Sequence, residues 1–198
     1  MPTALPPSPP IIIATGGMGS RMGGAKAERM LGGARLIDHM LRWARGQSDL
    51  VALAVRTGDG DLGTALPTLA DAAADLGPIS ALDSAMRFAA QHGADHVLLV
   101  SCDMPFLPVD LLQRLSDAIG GAGAALPDAA GRVQPLAALW RVDVAALDAY
   151  IAGGGQSLWR FAERQAMVRL PAQAADFANI NTSEELAAAE ARFKRRAR

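Results

Sequence analysis

The chain has 198 residues, 51% of them apolar and 20% charged, which is ordinary globular composition and excludes a disordered or fibrous protein. Nineteen Lys and Arg nearly cancel 20 Asp and Glu, so a broad phosphate-binding face for nucleic acid is not expected. Cys102 is the single cysteine, which excludes an internal disulfide and a cysteine zinc cluster, and 5% aromatics leave little for stacking single strands.

Residues 1–10 hold five prolines and no basic residue ahead of an apolar stretch. They are expected to form a disordered leader rather than a targeting segment, with a single domain over 11–198. No apolar run approaches the length of a membrane span, so a cytoplasmic protein is expected. Ile11–Ala14 is a β-branched run predicting a strand, and it opens into a glycine-rich loop. Apolar residues at Leu36, Ile37, Met40, Leu41 and Ala44 predict a helix over Leu36–Arg45. A second strand is expected at Leu50–Arg56 and a helix at Ile79–Gln91. Val97–Val100 is apolar at every position, as in a strand covered on both faces. Beyond Pro108, Val109–Ile119 reads as a helix, Ala124–Leu126 and Gln134–Arg141 as strands, and Val142–Ile151 and Ser157–Gln165 as helices. Thr182 and Glu185 stand three apart, the spacing of a capping box for a helix beginning at Ser183. That helix runs into a basic tail, Arg192–Arg198, which reads as a solvated end. Strands alternating with helices predict an α/β fold: a Rossmann-like three-layer α/β/α sandwich on a mostly parallel sheet.

The loop from Thr15 to Lys26 holds five glycines, Arg21 and Lys26. Glycines let backbone N–H groups turn in against a bulky anion, and the two cations supply the charge a triphosphate requires. The loop also leaves the C-terminal end of the first strand, where open α/β sheets bind ligands. It is not a Walker loop, because Ala27 follows Lys26. Nor is it the dinucleotide fingerprint, because Met22 takes the place of the third glycine. Thr15, Gly16, Gly17, Gly19, Arg21, Gly23, Gly24 and Lys26 are therefore candidate nucleotide-binding positions.

Thr15-Gly-Gly-x-x-x-Arg21-Met-Gly-Gly with a following lysine resembles the signature of the MobA family, molybdenum cofactor guanylyltransferases within the wider nucleotide-diphospho-sugar transferase type of fold. The similarity continues in order through Leu31-Gly-Gly-Ala-Arg-Leu36, Gly77-Pro78, Asp103-Met-Pro-Phe-Leu-Pro108, Gln134-Pro135, Leu139-Trp140 and Asn179-Ile-Asn-Thr182. The resemblance implies transfer of GMP from GTP to the terminal phosphate of Mo-molybdopterin, with release of pyrophosphate. It also implies Mg²⁺ as cofactor and molybdoenzymes or other cofactor-biosynthesis proteins as partners, with no nucleic acid and no membrane.

Asp103 follows the buried strand, so its carboxylate is expected at the same edge as the glycine loop. A hard oxygen there suits Mg²⁺ beside phosphates. The plainer alternative, a cap for the helix near Val109, is better served by Asp110. Arg21, Lys26 and Asp103 are the expected catalytic residues. Asn179 and Asn181 alternate about Ile180, which puts both amides on one side of an extended segment. Alone they read as turn residues; the resemblance implies binding of the pterin-phosphate substrate or the metal shell. Asp71 stands where the family carries an acidic residue on guanine, with Asp75 as an alternative. Val55 stands where the family has an asparagine at the end of the second strand. Further departures are a residue missing before Lys26, Glu28-Arg29 at apolar positions and Arg35 in place of proline. They keep two alternatives open: cytidylyl or other nucleotidyl transfer to a pterin or sugar phosphate, and a nucleotide-binding homologue without chemistry. Gly16, where cytidylyl relatives carry alanine, favours guanine.

Overall fold

The computed structural model describes residues 8–16, 26–56, 61–70 and 76–196. Ile11–Ala14 forms strand β1 and is buried along its whole length. Ile11 and Ile13 face one core cluster while Ile12 and Ala14 face another. A strand that sends apolar side chains both ways must lie inside a sheet. β1 pairs in parallel with β4 (Val51–Val55) on one side and β6 (His96–Ser101) on the other.

Two short strands, β2 (Met30–Leu31) and β3 (Ala34–Arg35), form a separate antiparallel hairpin. Gly32 and Gly33 join them with φ of 57° and 85°, the two positive values that a tight two-residue hairpin demands. Beyond β5 (Thr68–Ala70), the strands of the main sheet are β7 (Ala124–Ala129), β8 (Arg132–Val133), β9 (Ala137–Arg141) and β10 (Met167–Ala172). The sheet order is β10-β7-β9-β6-β1-β4-β5, with β8 paired to β7. β9 runs antiparallel to β6 and β7, whereas the β1–β4, β1–β6, β4–β5 and β7–β10 pairs are parallel. Only residues 130–136 link β7 to β9, too few for a parallel crossover, so the chain must return antiparallel.

Helices cover both faces. α1 (Leu36–Arg45) and α3 (Leu111–Ile119) pack Ile37, Met40, Leu41, Leu111 and Leu115 onto the side of Ile11 and Ile13. On the side of Ile12 lie α2 (Pro78–Gln91), α4 (Val144–Ala152) and α5 (Leu158–Arg164), with Ile79, Leu82, Leu147 and Phe161 buried. The architecture is thus the mostly parallel, Rossmann-like α/β sandwich expected. α2 starts one residue before the predicted Ile79: Gly77 turns at φ 69° and Pro78 supplies a preset φ at the first helical position. β10 has no counterpart among the predicted strands; Pro171 within it is tolerated because β10 lies at the edge of the sheet.

α6 (Ser183–Arg196) closes over the hairpin. Leu31, Leu36, Phe106, Ile180 and Ala189 form a third, smaller core there, with Leu186 and Phe193 against it. The capping box is present: Glu185 N–H donates to Thr182 Oγ1 at 3.1 Å, and Thr182 N–H donates to Glu185 Oε2 at 2.9 Å. Among the described residues no helix is long and apolar enough to cross a membrane.

Candidate active site

The C-terminal ends of β1, β4 and β6 lie side by side and carry the candidate residues. Thr15 is buried, and both its N–H (3.0 Å) and its hydroxyl (3.1 Å) donate to Ala54 O. Its side chain is therefore committed to anchoring β1 on β4. Gly16 lies under the stem of Arg56: a Cβ there would meet Arg56 Cγ at 2.8 Å. Val55 is half-buried and packs on the first core cluster. Gly17, Gly19, Arg21, Gly23, Gly24, Asp71 and Asp75 lie outside the described residues.

Lys26, Asp103 and Asn181 meet, although they come from distant parts of the chain. Lys26 Nζ donates to Asp103 Oδ2 at 2.8 Å and also to Asn181 Oδ1. The Asp103 side chain is 3% exposed and that of Lys26 17%. The other carboxylate oxygen, Oδ1, accepts from Ser101 Oγ at 2.6 Å. A carboxylate so deeply buried requires such partners, because desolvating an unpaired charge is costly. Asp110, the rival reading as a helix cap, does occupy the cap position of α3 but makes no side-chain cap hydrogen bond.

The segment carrying Asn181 is clamped from three directions. Ile180 N–H donates to Asp103 O at 3.0 Å. Arg29 Nη1 donates to the carbonyls of Ile180 and Asn181, each at 3.3 Å. Glu185 Oε2 accepts from Asn181 N–H at 2.6 Å. Ile180 is buried in the third core, while Asn179 and Asn181 both line a cavity of about 500 Å³ between α6, Phe106 and the β7–β8 turn. Asn179 does not join the Lys26–Asp103 contact by any direct hydrogen bond among the described residues. Ser101, Arg29 and Glu185 were not singled out from the sequence as site residues. Ser101 stands two residues before Asp103 at the end of the buried strand, and Arg29 is a charge where an apolar residue is the family habit; those were the available signals.

The donor set suits some metals and not others. Among the described residues no three His, Cys, Asp or Glu side chains come together, so an all-protein metal cage is not built. One carboxylate with a neighbouring amide oxygen, both already against a cationic nitrogen, fits a hard cation that takes its remaining ligands from phosphate and water. Cys102 is next to Asp103, but burial pushes its thiol up to about 12, with the carboxylate adding to the effect. A thiol held protonated in this way is not a nucleophile. His39 contacts Leu31 O and His92 contacts Phe88 O, each at 2.8 Å, so both have structural partners.

A mostly parallel α/β sheet that gathers a lysine, a buried aspartate and an amide at the ends of its central strands is the framework of a nucleotidyltransferase. The model of the MobA-like NTP transferase domain matches residues 11–169, and the chain belongs to that family. A molybdenum cofactor guanylyltransferase from Rhodobacter capsulatus is 36% identical over 94% of this chain and 97% of its own. One from Rhodopseudomonas palustris is 37% identical, covering 93% of this chain and 92% of its own. Among solved structures, a molybdopterin-guanine dinucleotide biosynthesis protein A from Archaeoglobus fulgidus superposes with a TM-score of 0.73 at 22% identity, over 93% of this chain and 98% of that one. A 2-C-methyl-D-erythritol 4-phosphate cytidylyltransferase from Thermus thermophilus gives 0.72 at 19% identity, over 94% and 99%. These two likenesses establish the fold.

Proposed function

We propose that this protein transfers GMP from GTP to the terminal phosphate of molybdenum-loaded molybdopterin, forming the guanine dinucleotide and pyrophosphate. The observation that carries the reading is the junction of Lys26, Asp103 and Asn181 at the strand ends, in a chain similar over nearly its whole length to guanylyltransferases of that name. In the reaction an oxygen of the acceptor phosphate attacks the α-phosphorus of GTP. The bond from that phosphorus to the oxygen bridging to the β-phosphate breaks, and pyrophosphate leaves with the electron pair.

Little covalent work falls to the protein; positioning and charge do the rest. Lys26 neutralises phosphate charge as it moves from the ground state to the leaving group, and Arg21 acts in the same way. Backbone N–H groups from Gly16 through Gly17, Gly19, Gly23 and Gly24 hold the phosphates in line. Asp103 would hold Mg²⁺, which would supply positive charge to offset the phosphate oxygens. Ser101, donating to Asp103 Oδ1, keeps that carboxylate in one orientation. Asn179 and Asn181 orient the acceptor, and Asp71 or Asp75 reads the base.

The test is pyrophosphate release from GTP, CTP and ATP with Mg²⁺ and the pterin acceptor. GTP should support release at a rate at least tenfold above the others, and Lys26→Met should lower turnover by a hundredfold or more, in the range for losing one transition-state charge contact. Release with CTP alone would replace guanylyl by cytidylyl transfer. Tight GTP binding with no release would make the chain a nucleotide-binding homologue without chemistry.

A further inference from the structure

Arg29 takes no part in the proposed transfer, yet its backbone and its side chain are both fixed. It follows the 3₁₀ turn Lys26–Glu28, and its N–H donates to Lys26 O at 3.3 Å. Its own carbonyl accepts from Leu36 N–H at 2.8 Å, at the start of α1. From there Nη1 forks between two consecutive carbonyls, Ile180 O and Asn181 O, at 3.3 Å each. Nη2 is buried without a hydrogen-bond partner, and no carboxylate pairs with the guanidinium among the described residues. An unmet buried donor costs stability, so the side chain is poorly matched to a purely anchoring role.

What the fork holds is Asn181. The Asn181 N–H donates to Glu185 Oε2 at 2.6 Å, its carbonyl accepts from Arg29, and its Oδ1 accepts from Lys26 Nζ. An ammonium can only donate, so the amide oxygen must face Lys26 and the amide NH₂ must turn away from it. That NH₂ has no partner among the described residues, and Asn181 lines the cavity beside α6. Three of its four polar groups are thus spent on fixing the fourth, a pair of N–H donors suited to a phosphate oxygen. Lys26 and Arg29 divide the work: Lys26 sets the rotation of the amide, and Arg29 sets the backbone from which it springs. One short segment after the glycine loop therefore carries both a cation for the nucleotide and a clamp for the acceptor.

Resting on the reaction proposed above, we infer that Arg29 is a positioning residue for the acceptor. It holds the Asn181 backbone so that the amide NH₂ meets the phosphate that reacts, and it touches neither substrate itself. Lysine at this position would carry the charge on a shorter chain without the planar fork, and would recover only part of the effect.

The experiment is calorimetric binding of the molybdenum-loaded pterin phosphate and, separately, of GTP, with steady-state pyrophosphate release alongside. The chains compared are wild type, Arg29→Met, Arg29→Lys, Asn181→Ala and the double variant Arg29→Met/Asn181→Ala. Arg29→Met should raise the acceptor Kd and KM about tenfold, as for loss of a charge-assisted contact, and Arg29→Lys should stay within about threefold of wild type. GTP affinity should change by less than about twofold, because Lys26 keeps Asp103. In the Asn181→Ala background Arg29→Met should add less than about twofold, since the donor it positions is already gone. Arg141→Met is the control for a merely structural role. Arg141 also holds two carbonyls, Gly120 O and Ala122 O, but at the edge of the sheet opposite the site. Its loss should lower the urea midpoint and leave both KM values unchanged. Unchanged acceptor binding in Arg29→Met, an equal loss for GTP, or a full tenfold loss in the Asn181→Ala background overturns the inference. Should Arg29→Met fail to fold, Arg29→Gln carries the same cycle. Wild-type chain that binds the acceptor yet releases no pyrophosphate with GTP overturns the reaction instead, while the binding cycle still decides the role of Arg29.

Discussion

Removing either partner of the Lys26–Asp103 pair should be unequal in its effect on stability. The two charges sit 2.8 Å apart, for a Coulomb attraction of about 6 kcal/mol at an effective dielectric of about 20. Desolvation offsets most of that, and the larger share of it belongs to Asp103, whose side chain is 3% exposed against 17% for Lys26. Lys26→Met leaves a buried carboxylate with Ser101 Oγ as its remaining side-chain donor, at a cost of about 3 kcal/mol. Asp103→Asn removes the buried charge, still offers an acceptor, and leaves Lys26 on Asn181, at a cost of about 1 kcal/mol. Urea unfolding is the assay. With a slope of about 2 kcal/mol/M the midpoint should fall by about 1.5 M for Lys26→Met and about 0.5 M for Asp103→Asn. The double variant should be more stable than Lys26→Met alone, because no buried charge is left behind. Asp103→Asn proving the more damaging, or the two effects simply adding, would refute the reasoning.

Other outcomes follow from the same geometry. Ser101→Ala removes a 2.6 Å bond to a buried carboxylate and should cost about 2 kcal/mol by thermal or urea unfolding, together with a fall in turnover. Glu185→Ala should cost about 1 kcal/mol by breaking the capping box and should raise the acceptor KM, since the Asn181 backbone loses its anchor; an unchanged KM counts against that link. Cys102, its thiol pushed up to about 12 and buried, should react with a disulfide reagent at pH 8 only as fast as the chain unfolds. Burial, with Arg141 adding to it, holds His96 below its ordinary value near 6.5. The unfolded chain then binds the proton first, so stability present above about pH 6.5 declines as pH falls toward the lowered value; His96→Gln should flatten that slope in a denaturation series.

Much of the frame was legible because the central strands carry it. Ile11–Ala14 and Leu36–Arg45 have the predicted bounds, since a run buried on both faces and a strong helical stripe each leave one solution. The short hairpin β2–β3 escaped because two-residue strands have no periodicity to read, although Gly32-Gly33 was a turn signal. In the candidate site, position along strand ends was enough to bring Lys26 and Asp103 under suspicion. What the sequence does not carry is the third dimension between residues 26, 103 and 181. Arg29 looks like a misplaced charge in one dimension, yet its guanidinium reaches two carbonyls more than 150 positions away. Arg192 of α6 likewise looks like surface until its guanidinium is seen on Ala175 O and Asp176 Oδ1.

The bond from Ile180 N–H to Asp103 O makes completion of the candidate site wait on the last stretch of the chain. A chain leaving the ribosome holds Lys26 and Asp103 together with the whole of β1, β4 and β6 before Asn181 exists. Nothing then braces the lysine from the far side, and the cavity along α6 has no wall. Closing contacts of such sequence separation comes late in folding. A nascent chain halted before residue 179 would therefore hold every strand of the main sheet and still lack the amide that touches Lys26.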